Sequence, residues 1–227
     1  MQDFFFKASI WIIPVVTAIT FHEAAHGWAA WRLGDDTAKQ LGRVTLNPIK
    51  HIDLFGTILL PAMLVLGSGG RMMFGYAKPV PVNFGRLRRP RQHMVLVAAA
   101  GPATNLLLAI TWAILANILP ALGADAGAWL AYNIYNGIWI NCLLLVFNMV
   151  PLPPLDGGRV AVGLLPRPLA MRLARLERFG FFIILGALFA LPLLGDQFGL
   201  DLNVFWWLIG GPAEYLMEQI FILTNLS

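Results

Sequence analysis

Two histidines flank a glutamate near the amino end: His22-Glu23-Ala24-Ala25-His26 has the H-E-x-x-H spacing. On a helix, side chains four apart share a face. Both imidazoles can therefore bind one zinc while Glu23 serves as general base toward an attacking water. The motif lies in an apolar run, where inserting an ionisable side chain costs about 2.5–3.5 kcal/mol and the default reading is functional. A catalytic zinc commonly takes three protein ligands, and Asp36, His51, Asp53, His93 and Asp156 are the candidates for the third. Asp156 stands out. It lies in the stretch Phe147-Asn148-Met149-Val150-Pro151-Leu152-Pro153-Pro154-Leu155-Asp156-Gly157-Gly158-Arg159, whose prolines remove backbone donors and break a helix. Non-helical backbone at membrane depth is tolerated only against protein or a wet cavity, so a broken helix would present this carboxylate to a polar site.

The elements that position these residues follow from composition. Of 227 residues, 58% are apolar and only 12% are charged, about half the charge of a soluble domain. An ordinary soluble globule and a disordered chain are both excluded. The runs 94–119, 128–150, 181–194 and 204–223 are nearly free of charge and approach the ~20 residues that a spanning helix needs. The reading is an all-α polytopic membrane protein in a single domain over 1–227, with about five transmembrane helices at 8–33, 91–119, 128–150, 176–194 and 202–223. The apolar segment 57–66 is too short to span and is expected to be re-entrant. Residues 71–83, with Gly75, Pro79 and Pro81, suggest a short β-hairpin-like edge element. The single cysteine, Cys142, can form no internal disulfide and reads as a small hydrophobe.

If 57–66 dips in and returns, 15 of the 16 Lys and Arg fall on one side and only Lys7 on the other. Cytoplasmic loops carry that excess. The expected location is a cell membrane, with the amino end outside and the carboxyl end cytoplasmic. The net charge of +4 then needs no nucleic-acid partner. His26 precedes the cytoplasmic end of its helix by about seven residues, or roughly 10 Å, which puts a zinc nearer the cytoplasm.

The two motifs, His22-Glu23-x-x-His26 and Asn148-x-x-Pro151-x-x-x-x-Asp156-Gly157, resemble the site-2 protease family of intramembrane zinc metalloproteases. Gly42-Arg43-Val44-Thr45-Leu46-Asn47-Pro48, Ala77-Lys78-Pro79-Val80-Pro81-Val82-Asn83 and Gly101-Pro102-Ala103-Thr104-Asn105 look like its compact bacterial and archaeal branch, without PDZ or CBS domains. The resemblance implies that His22, His26 and Asp156 bind one zinc per chain. It also implies that Glu23 is the catalytic base, that Asn148 assists, and that the activity is regulated intramembrane proteolysis. The expected partners are a transmembrane protein substrate and the lipid bilayer, and the sequence carries no sign of oligomeric state.

A helical substrate must be held extended to be cut, and an exposed strand can do this with main-chain partners. Val80 and Val82 are the candidate substrate-binding positions in 71–83. Asn105 is a third, weighed against a structural hydrogen bond to the active-site helices. His51 and Asp53 read as solvated or turn-forming loop residues, and His93 as interfacial. Two other readings stay open: a divalent-metal transporter, disfavoured because no internal repeat pairs the one broken helix, and a membrane-anchored zinc protease acting on non-membrane chains, for which Glu177 is the only candidate ligand Glu.

Overall fold

The computed structural model describes residues 2–67, 75–121 and 124–226. The first helix, α1 (Gln2–Arg32), has 31 residues, about 46 Å at 1.5 Å per residue, more than the ~30 Å hydrocarbon core requires. Pro14 lies inside it. Lacking an N–H, a proline leaves the carbonyl four residues earlier without its helical partner. That carbonyl, Ile10 O, accepts instead from Asn136 Nδ2 at 2.9 Å. Asn136 belongs to α5 (Ala124–Asn148), so the break in one helix becomes a tie to another.

After α1 the chain makes a one-turn helix, α2 (Thr37–Gln40), then a short apolar element in which a π-helical turn, Leu54–Leu59, leads into α3 (Leu60–Gly67). The 14 residues of Leu54–Gly67 reach only about 21 Å, less than a span. The long helix α4 (Pro90–Ala116) returns beside α1 and α5, and these three pack on one another. Small residues let them close: Ala109 and Ala113 of α4 are fully buried against Ile134, Ile138 and Cys142 of α5. The last helix, α10 (Gly211–Leu223), adds Ala213, Met217 and Ile220 to the same cluster. Between α5 and α10 come α6 (Asp156–Leu164), α7 (Arg167–Ala174), α8 (Glu177–Leu185) and α9 (Leu191–Phe198), the last two joined by a π-helical turn, Gly186–Ala190. Large apolar side chains such as Ile12, Leu107, Phe182 and Leu208 face outward, as a lipid solvent allows. The protein is an all-α polytopic membrane protein.

Two expectations need correcting. Among the described residues, four helical stretches are long and apolar enough to cross a membrane: Phe5–Arg32, Pro90–Ala116, Gly127–Asn148 and Glu177–Gly195. The expected fifth, at 202–223, is helical over 204–223, but exposed Glu214 and Glu218 lower its apolarity and it is not among them. Second, no β-strand occurs among the described residues. Residues 75–83 run extended but unpaired as a ladder, because Pro79 and Pro81 lack donors at alternate positions. Residues 71–74 of the expected edge element lie outside the described residues.

Candidate metal centre

The middle of α1 and the first residue of α6 meet in the interior. His22 Nε2 and His26 Nε2 are 3.0 Å apart, and Asp156 Oδ2 lies 3.3 Å from each. All three residues are buried, with 6–9% exposure. Among the described residues they are the one group of three able to hold a metal ion. Each imidazole is turned by an acceptor behind it: His22 Nδ1 lies 2.6 Å from Asn105 Oδ1, and His26 Nδ1 lies 2.8 Å from Val97 O. A protonated Nδ1 donating to these oxygens leaves the Nε2 lone pairs facing Asp156.

Asp156 Oδ2 is buried without a hydrogen-bond partner. Three lone-pair atoms brought together with no proton between them repel one another unless a cation is shared. Ligands of a tetrahedral zinc, at bonds of about 2.0–2.1 Å, sit about 3.3 Å from one another. The spacing and the two-histidine, one-carboxylate donor set therefore fit zinc. Space for the rings depends on Gly101 in α4, because a Cβ there would come within 2.5 Å of His26 Nε2 and 2.6 Å of His22 Cε1.

Asp156 reaches this position by a tight connection. Cβ atoms at Gly157 and Gly158 would lie 2.2 Å from Met149 O and 2.1 Å from Pro153 N, so only glycine lets α6 start folded back against the broken end of α5. The far end of α6 is held by Arg91, which donates from Nε to Gly163 O at 2.8 Å and from Nη2 to Leu165 O.

Other residues singled out by sequence fall in different places. Glu23, half-buried beside the histidines, accepts at Oε2 from the Val80 N–H at 2.8 Å. Val80 is buried, and Val82 packs on the cluster of Ala29, Ala30, Leu87 and Val97. Asn148 donates back along its own helix, to Leu144 O at 3.0 Å. Asp36 pairs with Arg86 at 2.9 Å. His93 Nδ1 lies 3.3 Å from Leu33 O, and Asp53 caps the next turn by accepting from Gly56 N at 2.7 Å. His51 is not solvated: it is 3% exposed, with Nε2 2.9 Å from Thr45 O.

Asn105 is fully buried, and its Nδ2 donates to Asn141 Oδ1 at 2.8 Å and to Ala18 O at 3.4 Å. Asn141 in turn donates to Gly137 O. The amide thus ties α1, α4 and α5 together behind His22. Asn141 and Asn136 escaped the sequence reading, although an amide inside an apolar span was the available signal. Replacing a residue that orients a metal-bound histidine typically weakens metal binding 10- to 100-fold. Asn105→Leu is expected to lower zinc affinity by about that factor, as measured by competition with a chromogenic chelator, while the helical circular dichroism is kept. Unchanged affinity would mean that His22 needs no such support.

The sequence model of peptidase family M50 matches residues 10–124. Two relatives bear the name "Putative zinc metalloprotease". YwhC of Bacillus subtilis is 42% identical over 186 residues, 80% of this chain and 80% of its own length. Rip2 of Mycolicibacterium smegmatis is 30% identical over 209 residues, 92% of this chain and 76% of its own length. No solved structure matches the chain.

Proposed function

The chain belongs to peptidase family M50, the site-2 protease family, and is a membrane zinc metalloprotease; from that premise we propose that it cuts transmembrane substrates within the bilayer, using one zinc per chain. The carrying observation is that His22 and His26 lie within the span Phe5–Arg32 and are closed off by Asp156 from a different helix. A peptide bond can meet Glu23 only by coming to membrane depth. Regulated intramembrane proteolysis is the physiological role proposed.

His22, His26 and Asp156 would hold the zinc. When bound, the metal supplies a Lewis acid that polarises the scissile carbonyl and acidifies water. Glu23 takes the proton of the attacking water and returns it to the leaving amine, the usual two-way use of one positioned carboxylate. Asn148 donates to the developing oxyanion, which requires its amide to leave Leu144 O. The substrate is held extended along residues 75–83. Tyr76 and Lys78 spend their N–H groups on Gly56 O and His51 O. The alternation of an extended chain turns the Ala77 N–H and the carbonyls of 77, 79 and 81 to the opposite edge, where a substrate can pair. The amino end is proposed to lie outside and the carboxyl end in the cytoplasm, following the division of Lys and Arg. A transporter needs no carboxylate beside the ligand set that is left out of it, and Glu23 is such a group.

The test is to incubate the purified protein in vesicles with a panel of single-span peptides and with a soluble protein of the same cut sequence. Cleavage restricted to the spanning peptides, abolished by chelator and restored by zinc, is expected, and reporters fused near residues 39 and 86 should score cytoplasmic. Preferential cutting of the soluble chain would overturn the intramembrane reading, and external scores the orientation.

A further inference from the structure

We propose that the main-chain N–H of Val80 is the positioning group of the general base, and that the extended segment 76–83 is the strut that carries it. This rests on the reading of Glu23 as base. The contact is Val80 N–H to Glu23 Oε2 at 2.8 Å, joining residues 57 apart in sequence. Hydrogen bonds to ionised acceptors are the stronger kind. A glutamate side chain otherwise samples many rotamers, and holding one of its oxygens gives the carboxylate a single orientation before substrate arrives.

The sequence around Val80 suits this task. Pro79 and Pro81 have no N–H, so Val80 provides the one donor from 79 to 81. The residue before a proline is confined to extended conformations, which sets Val80 as a rigid presenter. The strut is pinned on both sides. Tyr76 N–H donates to Gly56 O at 3.0 Å, Lys78 N–H to His51 O at 2.9 Å, and Asn83 N–H to Asp35 Oδ2 at 2.6 Å. Arg43 Nη2 donates to Lys78 O at 2.7 Å.

That last set of contacts comes at an energetic cost. Arg43 Nε and His51 Nδ1 are buried without partners, an arrangement that disfavours folding. The same two residues hold Lys78, two residues before Val80, through Arg43 Nη2 and the His51 carbonyl. The strut also lies flush on α1: a Cβ on Gly27 would stand 3.1 Å from Val80 Cγ1, and Gly27 follows the motif that carries Glu23. The base and its holder are thus built into one contact, and Val80 acts on the reaction through Glu23.

The experiment replaces the Val80 amide by an ester in the full chain, deleting the N–H alone, with Val80→Pro as the genetic counterpart. Two single-span peptides serve as substrates in vesicles, one a stiff helix and one broken by Gly-Pro at the cut site. Both variants should lose kcat roughly 10- to 100-fold, the range for removing one hydrogen bond to a charged group. The loss should be equal for the two peptides, with KM and zinc content unchanged. Independently of activity, Val80 amide hydrogen exchange should accelerate in Glu23→Ala. A normal kcat in the ester variant, a loss confined to KM or to the stiff peptide, or unaltered exchange would each overturn the proposal. These outcomes are separable from failure of the underlying reading: an active Glu23→Gln protein removes the base itself, whereas a fast ester variant beside an inactive Glu23→Gln removes only the strut.

Discussion

Asp156→Ala should empty the metal centre and reduce cleavage to background. The carboxylate is the only anionic member of the trio and arrives from α6, whereas both histidines sit on one turn of α1. Without it, two imidazoles four residues apart remain, fewer ligands than catalytic zinc sites normally provide. Atomic emission on purified protein should find zinc at about a tenth or less of the wild-type content. Normal zinc content would mean that another residue supplies the third ligand. Asp156→Asn separates charge from shape, because the amide keeps an oxygen at the same reach without the charge. It is expected to retain more zinc than Asp156→Ala and less than the wild type.

Glu23→Gln is expected to behave in the opposite way, losing the reaction while keeping the metal. Gln preserves the length of the side chain and a carbonyl oxygen that can still accept from the Val80 N–H. What it lacks is a basic oxygen to take a proton. General acid–base catalysis commonly contributes about 10²- to 10⁴-fold, and the loss in kcat should fall in that range, with substrate still bound and zinc at the wild-type level. A single-turnover assay on a fluorescent spanning peptide, read beside metal analysis, decides the matter. Full activity would show that Glu23 is not the base.

That His22, His26 and Asp156 come together as a candidate metal group was legible in sequence because two of its members obey a local rule. The four-residue spacing of His22 and His26 is a property of a single helix, and the prolines before Asp156 announce a broken one. What supports the ligands was harder to read. Asn105 could be seen as an unusual intramembrane amide, but its partner on His22 is 83 residues away, and no local pattern encodes such a pairing. His51 does sit in a turn, Pro48–His51, but its burial was not legible because its surroundings look like a polar loop. It is buried by the extended segment that folds over it, with its carbonyl taken by Lys78. The expected edge element failed as a ladder for a reason already in the sequence, the alternating prolines. These same prolines reserve Val80 for a side chain. The short helix α6 was missed because nine residues beginning with Asp-Gly-Gly have little helical propensity, and tertiary anchors such as Arg91 hold it instead.

The division of the ligands between α1 and α6 also bears on how such an enzyme is made. His22 and His26 leave the ribosome early and Asp156 about 130 residues later, roughly 7–26 s at ordinary elongation rates. Until α4 and α5 are in the bilayer and α6 has folded back onto them, the histidines have neither Asn105 and Val97 to orient them nor a carboxylate to complete their set. The nascent chain therefore passes through the insertion machinery, itself built of membrane helices, without a competent centre. Assembly of the candidate metal centre therefore waits on completion of the chain's own topology, so that the donor set and the fold arrive together.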